Sequence, residues 1–399
     1  MRSNAVIFFL LAMQFYIWAQ EPECAMNWLE TIERQKGVPV EQIKASFRNK
    51  LDSAIMISNG VLPLRSEIVV PVVVHIVWNQ AQENLSDEKV IEQIEILNQD
   101  FNGANKDLTS LPKEFKPFIA KRGILFCLAA ESPEGLPTSG IIRHKTDLEV
   151  VGIKEELYEI APAWDSERYL NIWVANTGDF LTGLGTYPGL VPPERQGVVV
   201  NPRYFGYNES FRFNLGRVAV HEVGHYFGLD HIWGSDQNCE SDDGVEDTPL
   251  QQHSYQGCPA HPQATCGSND MFMNFMDYVD DACMVMFTQG QMQRMLTTID
   301  VFRPELLNNS ITCFEPEADS HTLDFSIHPN PAEELLTIAV AGKTPPVKYF
   351  IVDSLGRVIL AKTVNSQAFS IDVRKLTPGI YFLSLFGRTH RNTQKFVKK

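Results

Sequence analysis

The sequence predicts an α+β fold with a twisted mixed sheet for most of the chain, followed by a small all-β sandwich at the C-terminus. Three observations support this prediction. The run IVVPVVVHIVW is largely β-branched and is typical of a buried strand. The run HEVGHYFGLDH spaces its first two histidines for one face of a helix. Beyond residue 322, short apolar stretches alternate with turns such as DSLGR and LTPG.

The first 19 residues have the composition of a secretory signal peptide. Arg2 precedes an apolar run that continues to Trp18, and the small Ala19 is suited to the position before the cleaved bond. No other stretch is long and apolar enough to predict a membrane span. Residues 20–64 combine mixed charges with apolar spacing typical of helices, and we interpret them as a pro-segment.

Residues 65–313 carry the predicted sheet and its helices. After the first strand, Ser86 is a helix N-cap ahead of a single apolar stripe. That stripe consists of Val90, Ile94, Leu97 and Phe101. The runs ILFCLAA, YLNIWVAN and GVVVN predict further strands, and a long helix is predicted from about Thr288. The stretch LGTYPG is either an exposed edge strand, where an extended peptide could add a strand, or a plain loop.

The histidine run has the residues of a catalytic zinc site. His221 and His225 are four residues apart, so both side chains leave one face of a helix and can share a metal ion. Gly228 can end the helix in the left-handed conformation, which brings His231 back to the same ion. Three histidines leave a fourth tetrahedral position for water, and Glu222 is placed as its general base.

This longer motif is that of metzincins, which also carry a methionine turn downstream. The stretches HEVGHYFGLDHIWG, DGVEDTP and MNFMDYVDDACMVMF together resemble the pappalysin family, over about residues 66–313. The resemblance implies a metzincin-type catalytic domain, an active-site helix above the Met-turn and zinc-dependent endopeptidase activity. It also implies that Met276 forms the Met-turn and that Tyr278 lies near the metal and stabilises the oxyanion.

The resemblance assigns Asp281 to the floor of the pocket for the side chain after the scissile bond. A carboxylate there would favour Arg or Lys. Two alternatives remain open, because Asp280 could supply the charge instead and Asp281 could be a solvated acid in an ordinary turn.

Calcium binding is also implied by the resemblance, at the acidic segment that ends in EDTP. Its hard oxygen ligands would come from Asp242, Asp243, Asp247 and Thr248. The segment lacks the spacing of a calcium loop, so a solvated turn is the alternative.

Seven cysteines in an exported protein predict disulfides and one special thiol. Four of them lie between the histidine motif and the region of the Met-turn, and they allow three pairings: Cys239, Cys258, Cys266 and Cys283. The resemblance favours Cys239 with Cys266 and Cys258 with Cys283. Cys127 and Cys313 either pair with each other or stay buried and free.

Cys24 stands alone at the start of the predicted pro-segment. A thiolate is a good zinc ligand, so a cysteine in a removable segment can occupy the open metal position and keep an enzyme latent. Related precursors flank such a cysteine with Arg and Gly, whereas here Glu23 and Ala25 are its neighbours. The alternative is a stray or intermolecular thiol.

The acidic, proline-bearing stretch 314–322 is predicted to be a linker. Residues 323–399 resemble a type IX secretion sorting domain in HPNP, VDSLGRVI, LTPGIYFL and QKFVKK. That resemblance implies passage through the periplasm, then export by the type IX machinery to the cell surface or medium. An accessory immunoglobulin-like module is the alternative.

The net charge of −15 disfavours nucleic acid and anionic membranes as partners, since both require clustered Lys and Arg. Two function classes remain. The first is a secreted zinc endopeptidase made as a latent precursor, which acts on protein or peptide substrates and is activated by self-cleavage between Leu64 and Arg65. The second is a surface adhesion or binding protein that keeps a metzincin fold without turnover.

Overall fold

The computed structural model describes the chain in eleven stretches: residues 23–57, 68–121, 123–210, 212–235, 237–308, 311–313, 325–341, 347–353, 358–364, 366–386 and 391–399. Three of the sequence predictions fall outside these residues. They are the signal peptide over residues 1–19, the linker over 314–322 and the self-cleavage bond between Leu64 and Arg65.

Residues 23–57, here called the N-terminal segment, contain one short strand and two helices. These are β1 (Glu23–Cys24), α1 (Met26–Gln35) and α2 (Val40–Ile57). The helices bury one apolar face each, with Leu29, Phe47 and Leu51 among the buried side chains. The segment therefore packs as an ordered part of the structure.

A seven-stranded mixed sheet forms the centre of the part of the chain that precedes residue 314. Besides β1, it contains β2 (Ile68–Trp78), β3 (Ile124–Leu128), β4 (Ile141–Lys145), β5 (Leu170–Val174), β6 (Leu181–Gly185) and β7 (Val198–Val200). The strand order is β1-β6-β7-β5-β2-β3, and β4 also pairs with β2. Strand β6 runs antiparallel to β7, whereas β1 runs parallel to β6.

Strand β2 is the longest strand of this sheet, and its two halves have different neighbours. Its first half pairs with β3 and its second half with β4, both in parallel, while β5 lies on its other side. The run IVVPVVVHIVW is thus a buried central strand, as the β-branched composition predicts. Strand β4, with the sequence IIRHK, was not predicted, because a short run of mixed polarity has no distinctive period.

Five helices accompany the sheet: α3 (Asp87–Phe101), α4 (Glu156–Ile160), α5 (Arg217–Tyr226), α6 (Gln289–Phe302) and α7 (Glu305–Asn308). Ser86 caps α3, because its Oγ accepts the backbone N–H of Lys89 at 3.3 Å. Thr288 and Gln291 form a reciprocal capping box that begins α6. Both helix starts agree with the sequence prediction.

The sheet's edge lies slightly earlier in the chain than the sequence indicated. The predicted stretch LGTYPG contributes only its first two residues to β6, and the rest follows the strand. This edge is occupied by β1, since the backbone N–H of Ala25 donates to the Gly183 carbonyl at 2.8 Å. The N-terminal segment therefore uses the strand position that an extended peptide would use.

Three disulfides cross-link the part of the chain that carries the mixed sheet. Cys127 of β3 is joined to Cys313, the last described residue before the predicted linker. The structure also pairs Cys239 with Cys266 and Cys258 with Cys283. Cys24 is the free cysteine of the described residues, and it is buried.

The C-terminal part is a separate β-sandwich. Its strands are β8 (Phe325–His328), β9 (Leu335–Val340), β10 (Val347–Asp353), β11 (Val358–Val364), β12 (Ala368–Asp372), β13 (Gly379–Phe386) and β14 (Arg391–Lys398). They form a four-stranded sheet, β11-β10-β13-β14, and a three-stranded sheet, β12-β9-β8. Side chains of both sheets, including Ile338 and Leu383, share one apolar core.

Among the described residues, no helix combines the length and the apolar character that crossing a bilayer requires.

Candidate active site

Helix α5 and the turn after it bring three histidines together. The Nε2 atoms of His221 and His225 are 3.1 Å apart, and the Nε2 of His231 lies 3.1 Å from that of His225 and 3.3 Å from that of His221. Gly228, with φ of +84°, makes the turn that returns the chain. Tetrahedral zinc with Zn–N bonds of about 2.0–2.1 Å would require Nε2 separations of about 3.3 Å. The donor set therefore fits zinc.

Hydrogen bonds on the far side of two rings fix which nitrogen faces the cluster. Nδ1 of His221 donates to the Phe275 carbonyl at 2.7 Å, and Nδ1 of His225 donates to the Leu229 carbonyl at 2.8 Å. Each Nε2 is then a lone-pair acceptor, so the short Nε2 separations are not hydrogen bonds between neutral rings. Lone pairs that face one another repel, and a metal cation bound between them would remove this repulsion.

Burial keeps these rings neutral. It lowers the pKa of His225 to about 4, and burial together with the neighbouring imidazoles lowers the pKa values of His221 and His231 well below the usual range. Neutral imidazole is the form that binds a metal ion.

Glu222 lies beside the first histidine and is fully buried. Burial raises the pKa of its carboxyl to about 8, and the thiol of Cys24, which donates to Oε2 at 3.4 Å, opposes this rise. Oε1 has no hydrogen-bond partner among the described residues. A buried carboxyl with raised proton affinity suits a group that accepts and returns a proton.

Cys24 completes the cluster from the N-terminal segment. Its sulfur and the three Nε2 atoms all lie within 4.8 Å of one another, and all four residues are buried. Burial and the adjacent Glu222 raise the pKa of the thiol well above its usual value, while a hydrogen bond with Tyr278 opposes the rise. Bound zinc deprotonates a coordinating thiol outright. Cys24 thus lies where a fourth ligand would be.

Met276 and Tyr278 lie in the turn next to the cluster. Met276 is fully buried below α5, where a Cβ atom at Gly224 would lie 2.6 Å from its sulfur. The ring of Tyr278 is 4.9 Å from that of His231 and 5.8 Å from that of His221, measured between centroids. Asp277 anchors the turn by accepting the backbone N–H of Tyr278 at 2.7 Å.

A cavity beside the cluster contains Asp281. Its lining also includes Thr182, Arg212, Phe213, Val218, Glu222 and Met284. Oδ2 of Asp281 accepts the backbone N–H groups of Leu215 and Arg217 at 2.8 and 3.2 Å, whereas Oδ1 has no partner among the described residues. Burial raises the pKa of this carboxyl, and the two N–H groups oppose the rise, so that the pKa is about 6.

Asp280, the alternative source of charge, is already paired. Its Oδ1 accepts from Nε of Arg212 at 2.5 Å. The alternative of a solvated Asp281 is wrong, since this residue is 0% exposed and its carboxylate accepts two backbone N–H groups at the start of helix α5.

The acidic segment places two buried carboxylate oxygens without partners. Asp243 accepts from the backbone N–H of Val245 and from the Thr248 hydroxyl through Oδ1, while its Oδ2 has no partner among the described residues. Asp247 accepts the Gly290 N–H through Oδ2, and its Oδ1 likewise has none. Asp242 is more open, and its Oδ1 accepts the Gly244 N–H. Burial raises the pKa of Asp243 well above its usual value because it disfavours the charged carboxylate, and a bound cation would favour that charged form.

Sequence reasoning missed two features of the site. Gly183 and Gly185 allow β6 to lie close to α5. A Cβ atom at Gly183 would be only 2.9 Å from Glu222 Cγ, and one at Gly185 would be only 2.9 Å from His225 Cβ. Asp230, next to a predicted ligand, forms ion pairs with Lys44 and Arg48 of α2. Both features depend on contacts between parts of the chain that are far apart in sequence, and a local sequence pattern does not reveal such contacts.

Comparison with known families matches residues 156–300 to the peptidase family described as pregnancy-associated plasma protein-A. Residues 326–399 match a secretion system C-terminal sorting domain. The two matches fall on the mixed-sheet part and on the β-sandwich.

Individual relatives agree with these families. The solved structure of a Tannerella forsythia promirolysin mutant is 36% identical, covers 72% of this chain and 97% of its own, and has a TM-score of 0.65. Mature mirolysin of the same organism, in complex with a cleaved peptide, is 37% identical over 61% of this chain and 100% of its own, with a TM-score of 0.57. An extracellular metalloprotease of Arthroderma benhamiae is 28% identical over 287 residues, which is 70% of this chain and 95% of the relative.

The mixed sheet and the histidine cluster, together with these relatives, define a zinc-dependent endopeptidase of the metzincin class. Within that class, the chain belongs to the pappalysin family, the family of pregnancy-associated plasma protein-A. It ends in a type IX sorting domain and is exported. The non-catalytic alternative is not supported.

Proposed function

We propose that the chain is the latent precursor of an endopeptidase, in which Cys24 blocks the metal site that His221, His225 and His231 form. The observation that carries the proposal is the convergence of one sulfur and three Nε2 atoms within 4.8 Å, with Glu222 hydrogen-bonded to the same sulfur. These are the donors of a closed tetrahedral site that opens when the thiol leaves.

Zinc would be held by the three Nε2 atoms, and once bound it would lower the pKa of water and polarise the scissile carbonyl. Glu222 takes the proton from the attacking water through its carboxylate. It then returns that proton to the leaving amine, which its raised proton affinity favours. The Tyr278 hydroxyl donates a hydrogen bond to the oxyanion that develops on the scissile carbonyl.

The enzyme is latent in the precursor because the N-terminal segment lies along edge strand β6, next to the metal site. Its strand β1 pairs with the edge strand β6, and Cys24 takes the place of the attacking water while its thiol contacts the general base. The segment remains attached through ion pairs of α2 with Asp230 and of Glu33 with Arg195. Residues 20–64 thus act as the pro-segment. In support, promirolysin covers a larger share of this chain than mature mirolysin does.

The pocket beside the cluster suggests a preference for Arg or Lys after the scissile bond. Asp281 lines this cavity and keeps one carboxylate oxygen free of any partner in the described chain. A guanidinium group would pair with that oxygen in a site shielded from water, where an ion pair is stronger than at the surface. Arg should lead Lys because its planar fork makes more directed hydrogen bonds.

Calcium is proposed as a structural ion at the acidic segment. The free Oδ2 of Asp243 and Oδ1 of Asp247 are hard ligands, and Asp242 and Thr248 lie in the same turn. Asp247 also holds the start of α6 through Gly290, so bound calcium would stabilise the lower part of the catalytic domain.

The domain division we propose assigns residues 1–19 to the signal peptide, 20–64 to the pro-segment and 65–313 to the catalytic domain. Residues 314–322 would link it to the sorting domain over 323–399.

The mechanism is tested by substituting Glu222 and His225 separately. Glu222→Gln should keep zinc at one ion per chain but reduce peptide cleavage by at least about 10²-fold, the effect expected for a general base. His225→Ala should lose both zinc and activity. Zinc content is measured by atomic absorption and cleavage with a quenched fluorescent peptide.

Near-normal turnover by the Glu222→Gln protein would refute the role of the carboxylate. A His225→Ala protein that still holds one zinc ion would refute the ligand assignment.

A further inference from the structure

Asp230 is a buried carboxylate that the proposed mechanism does not use. It is 8% exposed and directly precedes His231. Lys44 Nζ lies 3.1 Å from its Oδ1, and Arg48 Nη2 and Nε lie 2.8 and 3.2 Å from its Oδ2. Among the described residues, every ion pair and hydrogen bond of this carboxylate comes from these two cations of α2. Both cations belong to the proposed pro-segment.

The aromatic ring of Tyr187 lies next to one of these two cations. Lys44 Nζ is 5.1 Å from the centroid of the Tyr187 ring, a cation–π distance. The same ring packs against Phe47 of α2, with 4.7 Å between centroids. A carboxylate at one end and an aromatic face along the side are the groups that recognise Lys or Arg. In this structure, the pro-segment supplies those cations.

Removal of the pro-segment would leave Asp230 and Tyr187 in the catalytic domain without their cations. Asp230 then lacks the two charges that pair with it in the precursor. A basic side chain that takes the place of Lys44 and Arg48 restores these ion pairs and is therefore bound favourably. The substrate is the molecule that enters the cleft after the pro-segment has left.

The order of residues along strand β6 indicates which part of a bound substrate would lie near Asp230. Thr182 lines the Asp281 cavity, Cys24 pairs with Gly183, and Tyr187 follows the far end of the strand. The Asp281 cavity therefore lies toward the start of this edge strand from the metal site, whereas Tyr187 and Asp230 lie toward its end. A substrate that places its residue after the scissile bond near Asp281 extends its preceding residues toward Tyr187.

We propose that Asp230, with Tyr187, forms a second specificity site that selects Lys or Arg among the three residues before the scissile bond. The proposal rests on the proposed function, since it takes the Asp281 cavity as the pocket after that bond. Lys44 and Arg48 would then occupy in the precursor the place of basic substrate side chains. The substrate class is a polybasic peptide with cations on both sides of the cleaved bond.

The test uses the full-length protein after loss of its pro-segment, verified by mass spectrometry of the new N-terminus. Quenched peptides keep Arg after the scissile bond, and each of the three preceding positions carries Lys, Arg or Gln in turn. At one position at least, the wild-type kcat/KM should be about tenfold or more higher for Lys or Arg than for Gln. In Asp230→Asn this ratio should fall to about one.

Asp281→Asn is the matched variant, and its ratio at that preceding position should stay at the wild-type value. A wild-type ratio near one at all three positions, or a ratio that survives in Asp230→Asn, would overturn the inference and leave the proposed function standing. If the wild type cleaves none of the peptides, or cleaves them equally with a zinc chelator, the proposed function fails and the inference fails with it.

Discussion

The two oxygens of Asp281 have different surroundings at the scale of single residues. Oδ2 accepts the N–H groups of Leu215 and Arg217 and so caps the first turn of α5, while Oδ1 has no partner in the described chain. The carboxylate therefore supports the helix that carries His221 as well as lining the cavity. Removing the whole side chain would cost about 0.5–2 kcal/mol of helix capping and would obscure any effect on specificity.

We therefore expect Asp281→Asn to separate the two roles. The amide oxygen still accepts the backbone N–H groups, but the charge is lost. The preference for Arg over Gln after the scissile bond should fall about 10- to 100-fold, because a hydrogen bond to a charged group contributes about 1.5–3 kcal/mol. Cleavage of a peptide library followed by mass spectrometry measures the preference.

The exposed Asp147→Asn serves as a charge-matched control and should leave the library profile unaltered. An unchanged Arg preference in Asp281→Asn would mean that another group recognises the basic side chain.

At the scale of elements, the sequence was informative wherever the cause was local. The β-branched run of β2, the Ser86 cap of α3 and the start of α6 at Thr288 depend on near neighbours, and the structure confirms all three. Strand β4 was missed because its five residues, IIRHK, mix apolar and polar side chains without a period typical of a strand.

The candidate site follows the same rule. The histidine motif is visible in the sequence because its members share one helix and one turn. The contact of Asp230 with α2 joins residues 182 apart in the chain and could not be predicted from spacing.

Helix α2 should hold the pro-segment on the catalytic domain through Lys44 and Arg48. In the double variant Lys44→Ala with Arg48→Ala, Asp230 loses both cations, so the closed arrangement is less stable and the precursor should activate sooner. The half-time of activation, followed by gel electrophoresis and peptide cleavage, should shorten about tenfold or more.

Arg34→Ala is the control, since the ion pairs of Arg34 join it to Glu30 and Glu41 of the same segment. An equal half-time in the double variant and the control would show that these contacts do not hold the segment closed.

At the scale of the whole molecule, the peptidase and the sorting domain have separate cores. The sandwich buries Leu336, Ile338 and Leu383 with side chains of its own strands, whereas the catalytic sheet packs with α3 and α5. The Cys127–Cys313 disulfide fastens the end of the catalytic part to β3 before the sorting domain begins. Catalysis and export should therefore be separable.

Deletion of residues 323–399 should change location rather than chemistry. We expect the truncated protein to accumulate in the periplasm with an unchanged kcat/KM for peptide cleavage. Cell fractionation and an assay of the periplasmic extract measure both quantities. Normal export of the truncated protein would contradict the assignment of this domain to sorting.

The central claim is that Cys24 keeps a competent metallopeptidase latent, and the most direct measurement is the activity of freshly purified Cys24→Ala precursor. This variant should cleave a peptide with Arg after the scissile bond without a lag, and a zinc chelator should stop it. The wild-type precursor should show a lag before the same activity appears. An identical lag in both proteins, or activity that the chelator does not affect, would contradict the account.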